Sequence, residues 1–189
     1  MLYLSTDYVF SGSGTHFHTV DEPCEPLSVY GKSKLMGEQA VRELLSSHFI
    51  VRISWLFGIN GANFVRTMLR LCETKTEISV VNDQIGSPTY SYDVAHLLCD
   101  MIVTDRFGTY HATNEGYCSW AEFAEAIMQL SNKTTRIHPI PSSEYPSRAA
   151  RPLNSRMNKD ELDKNGFERL PHWKDALSRF LKEQNETEG

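Results

Sequence analysis

The sequence contains no long apolar run, no basic cluster and no closely spaced pair of cysteines. No stretch approaches the roughly 18–20 apolar residues that a membrane-spanning helix needs. Met1 leads into the chain without the basic and apolar regions of a signal peptide. The net charge of −5, with no interleaving of basic and aromatic residues, argues against nucleic acid as a partner. We therefore expect a cytoplasmic protein with neither a membrane nor a nucleic-acid partner.

The four cysteines are scattered and form no C-x-x-C motif. This pattern is typical of reduced thiols in a cytoplasmic protein, and a disulfide pair is the less favoured alternative. His16 and His18 lie two residues apart without a further ligand set in the sequence, so we predict no metal site. The 189 residues, 40% of them apolar, are enough to bury a full core in one domain, with or without an added lobe.

Apolar runs of strand length alternate with amphipathic stretches of helix length. Strands are predicted at 2–5, 48–54, 78–81 and 108–113. Helices are predicted at 28–46, 64–72, 92–103, 119–130, 158–167 and 172–184. Residues 11–27 are predicted to form a loop, and 142–158 an irregular stretch. This alternation predicts an α/β fold with a largely parallel sheet.

Polar residues follow the first predicted strand directly. Ligands of parallel α/β sheets bind beyond the carboxyl ends of the strands, where Ser5, Thr6 and Asp7 lie in this sequence. Helix 28–46 starts at a plausible N-cap, Ser28, and carries Tyr30 and Lys34 on one face, one turn apart. The sequence therefore places hydroxyl, phenol and ammonium groups where they could form one site.

A phenol beside an ammonium suits proton transfer to a carbonyl oxygen. A lysine cation about 4 Å from a phenol favours the phenolate by roughly 4 kcal/mol in an effective dielectric near 20. A hydroxyl from Thr6, or from Ser5, could polarise the same carbonyl. A Y-x-x-x-K match alone is weak, because both residues are common on helices. A phosphate loop around "YGKSK" is excluded, because Pro26 stands where its first glycine would be.

Four segments follow one another in a specific order: "STDYVFSG", "EPLSVYGKSKLMGEQAV", "VRISWLFGINGANFVRTML" and "VVNDQIGSPTY". In order and spacing they resemble the dTDP-4-dehydrorhamnose reductases of the extended short-chain dehydrogenase/reductase superfamily. The segment "RAARPLNSRMNKDELDKNGF" and the closing helix also fit. The resemblance implies a Rossmann-like parallel sheet with a small α/β substrate-binding lobe. It also implies NADPH- or NADH-dependent reduction of the C4 ketone of dTDP-6-deoxy-L-lyxo-4-hexulose to dTDP-L-rhamnose.

Matched position by position, the resemblance implies specific roles. Thr6, Tyr30 and Lys34 would be the catalytic residues, and Tyr30 and Lys34 would also bind the cofactor. The residues implied to bind the dTDP-sugar substrate are Tyr8, Trp55, Asn63, Phe64, Gln84, Ser87 and Arg151. Two alternatives stay open here: Trp55 could be plain core, and Arg151 could pair with a surface acid.

The sequence lacks the glycine-rich turn that binds a dinucleotide pyrophosphate in this superfamily. "GSG" at 12–14 has Phe17 where a third glycine would stand. Since a βαβ unit takes 30 or more residues, we expect roughly a hundred residues of an N-terminal Rossmann half to be absent. The sheet would then be incomplete, and the chain would correspond to the C-terminal two-thirds of such a reductase.

An incomplete sheet has consequences for binding and assembly. An exposed strand edge favours dimerisation, exchange of elements or partial disorder near the N-terminus. We therefore expect a homo-oligomer or a missing N-terminal Rossmann half as partner. NADPH binding should be very weak and this chain alone inactive. The choice between NADPH and NADH, and any bound magnesium, cannot be read from the sequence.

Three segments are predicted along the chain. Residues 1–82 would be the C-terminal part of the Rossmann domain with the catalytic residues, and 83–183 mainly the substrate-binding lobe with segments returning to the Rossmann part. Residues 184–189 would be a disordered tail. The alternative function is a non-catalytic binding protein, similar to the regulatory β subunit of methionine adenosyltransferase.

Overall fold

The structure is a computed structural model that describes residues 1–145 and 150–188. The strands are β1 (Leu2–Thr6), β2 (Phe49–Ile53), β3 (Leu56–Phe57), β4 (Glu77–Val81), β5 (Ile85–Gly86), β6 (Thr89–Tyr90), β7 (Gly108–His111), β8 (Cys118–Ser119) and β9 (Arg136–Ile140). The α-helices are α1 (Val29–Leu44), α2 (Phe64–Leu71), α3 (Ser91–Ile102), α4 (Trp120–Leu130), α5 (Asp160–Lys164) and α6 (Trp173–Glu188).

A parallel sheet with the order β1-β2-β7 forms the first layer. Phe49 and Val51 of β2 belong to an apolar core that also contains Leu97 and Met101 of α3 and Leu162 of α5. The next residue, Arg52, points to the opposite face, as strand alternation requires, where it meets α1. Helices therefore cover both faces of β2, and the predicted α/β fold with a parallel, Rossmann-like sheet is confirmed.

A second apolar core forms a lobe beside this sheet. Strands β4 and β9 pair in parallel, and α4 packs on them. The core is built on large apolar side chains of α2, α4 and α6, including Met68, Phe123, Ile127, Leu177 and Phe180. Helix α2 and strand β4, which precede residue 82, contribute to this core, and the predicted division at residue 82 stays a prediction.

Two short strand pairings connect the β1-β2-β7 sheet with the lobe built on the second core. β3 pairs with β6 in parallel, and β5 pairs with β8 in antiparallel fashion. Loop 11–27 has the irregular backbone that was predicted, apart from a bridge from His18 to Met157. These connections hold the ends of the parallel strands against the lobe.

Two further outcomes concern the C-terminal half. The predicted tail at 184–189 differs from the structure, in which α6 continues to Glu188 and the Tyr90 hydroxyl donates to the Glu183 carboxylate. Residues 146–149, inside the predicted irregular stretch, lie outside the described residues. In the part of the chain that is described, none of the helices combines the length and apolar character needed to cross a bilayer.

Candidate active site

The first turn of α1 presents Tyr30 beside the end of β1. The Ser28 side chain accepts a hydrogen bond from the Gly31 amide at 3.1 Å and so caps the helix, as predicted. The Tyr30 ring is 54% exposed and lies edge-on to the Tyr8 ring, with 5.7 Å between centroids. The cap and the close packing of Gly31 fix the position from which the Tyr30 side chain projects from α1.

Lys34 lies one turn further along α1. Its Nζ atom is 4.3 Å from the centroid of the Tyr3 ring, a cation–π contact with the strand beneath. The Tyr3 hydroxyl donates to the Lys34 carbonyl at 3.3 Å. Strand β1 therefore holds the lysine and its helix, and Lys34 follows Tyr30 by four residues along α1.

Thr6 ends β1 and is buried. Its hydroxyl donates to Asp7 Oδ1 at 2.9 Å and accepts from the Tyr8 amide at 3.2 Å. The Thr6 hydroxyl therefore caps the 3-10 helix Asp7–Val9 in this structure. To bind a substrate oxygen, it would have to turn its proton away from Asp7.

Asp7 is a buried acid between Thr6 and Ser155. Its Oδ2 atom accepts from the Ser155 hydroxyl at 2.6 Å. Burial raises the pKa of Asp7 to about 6, and the hydrogen bonds from Ser155 and Thr6 oppose part of that rise. The carboxyl group thus ties the strand end to the 154–158 segment.

A cavity of about 310 Å³ opens in the lobe built on the second core. It contains three of the predicted substrate residues, Phe64, Gln84 and Arg151. The rest of its lining was not predicted: Met68, Ser79, Val80, Val81, Trp120 and Tyr145. Most of the lining is apolar or aromatic, with one cationic side chain, which is a suitable composition for an aromatic, anionic ligand.

Trp55 lies behind the lining of this cavity. Its ring stacks on Trp120 with 3.7 Å between centroids and 14° between planes. A Cβ on Gly86 would approach the Trp55 ring to 2.8 Å, so only glycine allows this packing. Trp55 also has a φ of +49°, a strained backbone for a bulky residue. Its ring supports Trp120, which lines the cavity.

Arg151 connects the cavity with the strand ends. It lines the cavity, and its positive charge acts on the nearby Tyr8 hydroxyl. Burial raises the pKa of Tyr8, and the positive charge of Arg151 opposes part of that rise. Because Tyr8 also meets the Tyr30 ring, a continuous set of contacts leads from the cavity to the phenol.

Gln84 is held at the cavity by a short relay. Its Nε2 donates to the Ser142 hydroxyl at 2.8 Å, and that hydroxyl donates to Asp83 Oδ1 at 2.5 Å. The amide is thereby fixed in orientation, with its carbonyl oxygen left to accept from a ligand.

The side chains of Asn63 and Ser87 are engaged elsewhere. Asn63 caps α2 by accepting from the Arg66 amide at 3.1 Å and donates to the Gly58 carbonyl at 2.8 Å. The fully buried Ser87 hydroxyl donates to the Asn114 carbonyl. Both contacts are structural, so neither side chain is placed in the cavity that Phe64 and Gln84 share.

The residues that sequence reasoning missed come from distant segments. Trp120 follows Ser119, whose reciprocal bonds with Glu122 form a capping box, a pattern that the sequence spacing shows. The sequence therefore offered a signal for Trp120, since it is an aromatic residue in the first turn of a recognisable helix. Tyr145 carries no such local signal.

Comparison with known proteins identifies the family. Residues 1–186 match the model described as "RmlD substrate binding domain", and the chain belongs to this family. It is 43% identical over 184 residues to the spore coat polysaccharide biosynthesis protein SpsK of Bacillus subtilis, covering 97% of this chain and 64% of that protein. The resemblance to dTDP-4-dehydrorhamnose reductases is confirmed.

Two named reductases illustrate the relationship. The dTDP-4-dehydrorhamnose reductase of Sinorhizobium fredii is 38% identical over 192 residues, covering 96% of this chain and 65% of that enzyme. The crystal structure of the Bacillus anthracis reductase in complex with NADP superposes with a TM-score of 0.94 at 45% identity, covering 96% of this chain and 65% of that one. The chain thus spans slightly less than two-thirds of the length of each of these relatives.

Proposed function

We propose that this chain carries the substrate-binding and proton-donating part of a dTDP-4-dehydrorhamnose reductase. The observation that carries the proposal is the Arg151–Tyr8–Tyr30 series, which joins an aromatic cavity to an exposed phenol. An enzyme that reduces a nucleotide sugar needs one place for the nucleotide and another for the reacting ketone. The cavity would hold the nucleotide and Tyr30 would stand beside the reacting ketone. The series of contacts joins these two places.

The cavity suits the dTDP part of the substrate. Phe64, Trp120 and Tyr145 offer aromatic faces for a base, and Gln84 offers an oriented amide for its polar edge. Arg151 offers a guanidinium, which matches the geometry of a diphosphate. With the nucleotide in this cavity, the sugar would extend past Tyr8 towards Tyr30.

Tyr30 would donate the proton to the oxygen at C4 of dTDP-6-deoxy-L-lyxo-4-hexulose as the ketone becomes an alcohol. The Lys34 ammonium, on the same helix face, would stabilise the phenolate that remains. Thr6 would hold the same oxygen once its hydroxyl turns from Asp7. The product of this reduction is dTDP-L-rhamnose.

The reduction also needs a hydride donor, and the relative from Bacillus anthracis is complexed with NADP. The residues present fit such a group, because the exposed Tyr30 phenol lies against Tyr8, just beyond the carboxyl end of β1, and Lys34 follows one turn later on the same helix. NADPH would supply the hydride to C4. Tyr30 and Lys34 would hold its nicotinamide ribose, while the choice between NADPH and NADH depends on residues that contact the adenosine half.

The named relatives are a polysaccharide biosynthesis protein and a reductase. They do not support the alternative of a regulatory binding subunit. Nor do they support the expectation that this stretch is inactive. Nothing favours magnesium as a cofactor of the reaction.

Calorimetry with dTDP tests the nucleotide site directly. We expect this chain to bind dTDP, and Arg151→Met to weaken binding roughly ten- to hundred-fold through loss of a charge-assisted hydrogen bond. Arg136→Met is the matched control, because it removes the same charge from an exposed position on β9. No dTDP binding, or equal effects of the two substitutions, would refute the proposed nucleotide site.

Turnover tests the role of Tyr30. This chain is joined to the N-terminal Rossmann half of a relative and assayed with NADPH and the dTDP-4-ketosugar. Tyr30→Phe should lower kcat roughly 10²–10⁴-fold, the range for loss of a general acid. Tyr92→Phe is the control, since Tyr92 is also 54% exposed but lies on α3. Unchanged turnover in Tyr30→Phe would remove Tyr30 from the mechanism.

A further inference from the structure

A second cluster of chemically active side chains lies in loop 11–27. His16, His18 and Glu22 each place one potential ligand atom within 4.8 Å of the others. Oε1 of Glu22 is 3.1 Å from Nε2 of His16 and 2.8 Å from Nδ1 of His18. The structure thereby supplies a third ligand that the sequence pattern of two histidines did not reveal.

The imidazole of His18 is held in a fixed orientation. It is only 1% exposed and stacks on Phe10 at 4.4 Å between ring centroids, with 4° between planes. Its Nε2 atom lies 3.1 Å from the Asn154 carbonyl, to which it can donate a proton. A ring that donates from Nε2 leaves Nδ1, 2.8 Å from Glu22 Oε1, as the nitrogen that would bind a metal once it gives up the proton it shares with that carboxylate. Metal-binding histidines characteristically donate their second ring nitrogen to a carbonyl or carboxylate in this manner.

We propose that His16 Nε2, His18 Nδ1 and the Glu22 carboxylate bind one divalent transition-metal ion, with Zn²⁺ the best match. Two imidazoles and one carboxylate suit zinc and related metals, whereas magnesium prefers all-oxygen sites. Ligand atoms around tetrahedral zinc stand about 3.3 Å apart, given bond lengths of about 2.0–2.1 Å. The observed separations of 3.1 and 2.8 Å from Glu22 Oε1 are slightly shorter than that spacing, and the two imidazole nitrogens lie within 4.8 Å of each other.

The site would have an open fourth position. The His16 side chain is 55% exposed, so water can complete a tetrahedral shell on that side. The protein's contribution is then a partly preformed site with one buried ligand, His18, and one solvent-facing ligand, His16.

A metal here would cross-link loop 11–27 internally, at the point where the loop is already hydrogen-bonded to the segment that follows Arg151. The His18 amide donates to the Arg156 carbonyl at 2.8 Å, and the Asn158 amide donates to the His18 carbonyl at 2.9 Å. Asn154 also donates from Nδ2 to the His16 carbonyl at 2.8 Å. The ion would add a cross-link to a loop that leads directly into α1, and its role would be structural.

Titration of the metal-free chain with Zn²⁺ and Co²⁺ tests the proposal. We expect one equivalent to bind, Co²⁺ to give the visible absorption of a tetrahedral site, and thermal stability to rise with Zn²⁺. His16→Gln and Glu22→Gln should each lower the affinity at least ten-fold. His16→Gln is the decisive variant, because His16 is exposed and circular dichroism can verify that the fold is retained.

His138→Gln is the matched control. His138 is also an exposed histidine near a glutamate, with Nδ1 3.9 Å from Glu77 Oε1, but among the described residues it belongs to no group of three potential ligands. Its substitution should leave the affinity unchanged. Absence of binding, or equal affinity in His16→Gln and the unsubstituted chain, would overturn the proposal. Loss of binding in Cys99→Ser with retention in His16→Gln would assign the metal to an exposed thiol and would equally overturn it.

Discussion

Gly31 packs directly against the backbone carbonyl of Tyr8. A Cβ atom on Gly31 would stand 2.1 Å from that carbonyl oxygen, well inside the shortest contact that real Cβ atoms make. The obstacle is backbone, which cannot swing aside as a flexible side chain could. The absence of a side chain at position 31 therefore sets how closely α1, with Tyr30, approaches the strand end.

Gly31→Ala should push α1 away from β1. Alanine normally favours a helix over glycine, by about 1 kcal/mol, so a loss of stability would be opposite in sign to the helix propensity. We expect a net loss of about 1–3 kcal/mol, typical of overpacking, measured by urea denaturation. Gln39→Ala, at an exposed position of the same helix, is the control and should change stability little. Gly31→Ala as stable as the unsubstituted protein would show that α1 can shift without cost.

Local chemistry explains why the long elements are predictable from sequence. Ser28 and Ser119 cap helices through bonds to residues three positions away, so each cap is visible in a short stretch of sequence. The two-residue strands are different, because their existence depends on a distant partner. Leu56 pairs with Thr89, and neither flanking sequence carries the alternation of a longer strand.

The candidate site was predictable only in part. The Tyr30–Lys34 pattern depends on spacing within one helix, which sequence shows directly. The cavity brings Phe64, Trp120 and Arg151 together from segments far apart in the chain, and no local pattern reports that meeting. A motif also does not reveal which way a side chain faces, as the structural bonds of Asn63 illustrate.

Asn63→Ala should lower stability without weakening dTDP binding. The asparagine caps α2, and loss of an N-cap costs about 0.5–2 kcal/mol. Asn63→Ser keeps a cap acceptor and should recover most of that loss. Denaturation and dTDP calorimetry on both variants provide the measurement. A large loss of dTDP affinity in Asn63→Ser, whose cap is retained, would return Asn63 to a direct role in substrate binding.

Asp7 should make the free energy of unfolding fall as pH rises, whereas a salt-bridged acid makes it rise with pH. Its folded-state pKa of about 6 lies above its ordinary value of 3.8, so the folded state holds this proton more tightly. The stabilising contribution is complete below pH 3.8 and is lost as pH rises through 6. A rise from 3.8 to about 6 corresponds to roughly 3 kcal/mol.

The measurement is urea denaturation of the unsubstituted protein and Asp7→Asn between pH 4 and 7. The stability of the unsubstituted protein relative to Asp7→Asn should fall across this range, because only the former carries the titrating group. Asp21→Asn, at an exposed position, should show no such relative slope. A difference between Asp7→Asn and the unsubstituted protein that is constant with pH would contradict the raised pKa.

Arg52 and Arg42 bind the same buried carboxylate, and their substitutions should have very different costs. Glu38 is fully buried; its Oε2 lies 2.7 Å from Nη2 of Arg52 and 2.9 Å from Nη2 of Arg42. Arg52 is 1% exposed and also donates from Nε to Glu38 Oε1 at 2.9 Å, whereas Arg42 is 37% exposed. Arg52→Leu should cost about 3–5 kcal/mol, because it leaves a buried charge without its main partner. Arg42→Leu should cost at most about 1 kcal/mol, because water can replace a half-exposed partner. If Arg52→Leu, Glu38→Gln together recover most of the loss in denaturation experiments, the cost lies in the unpaired charge; if they do not, it lies in lost packing.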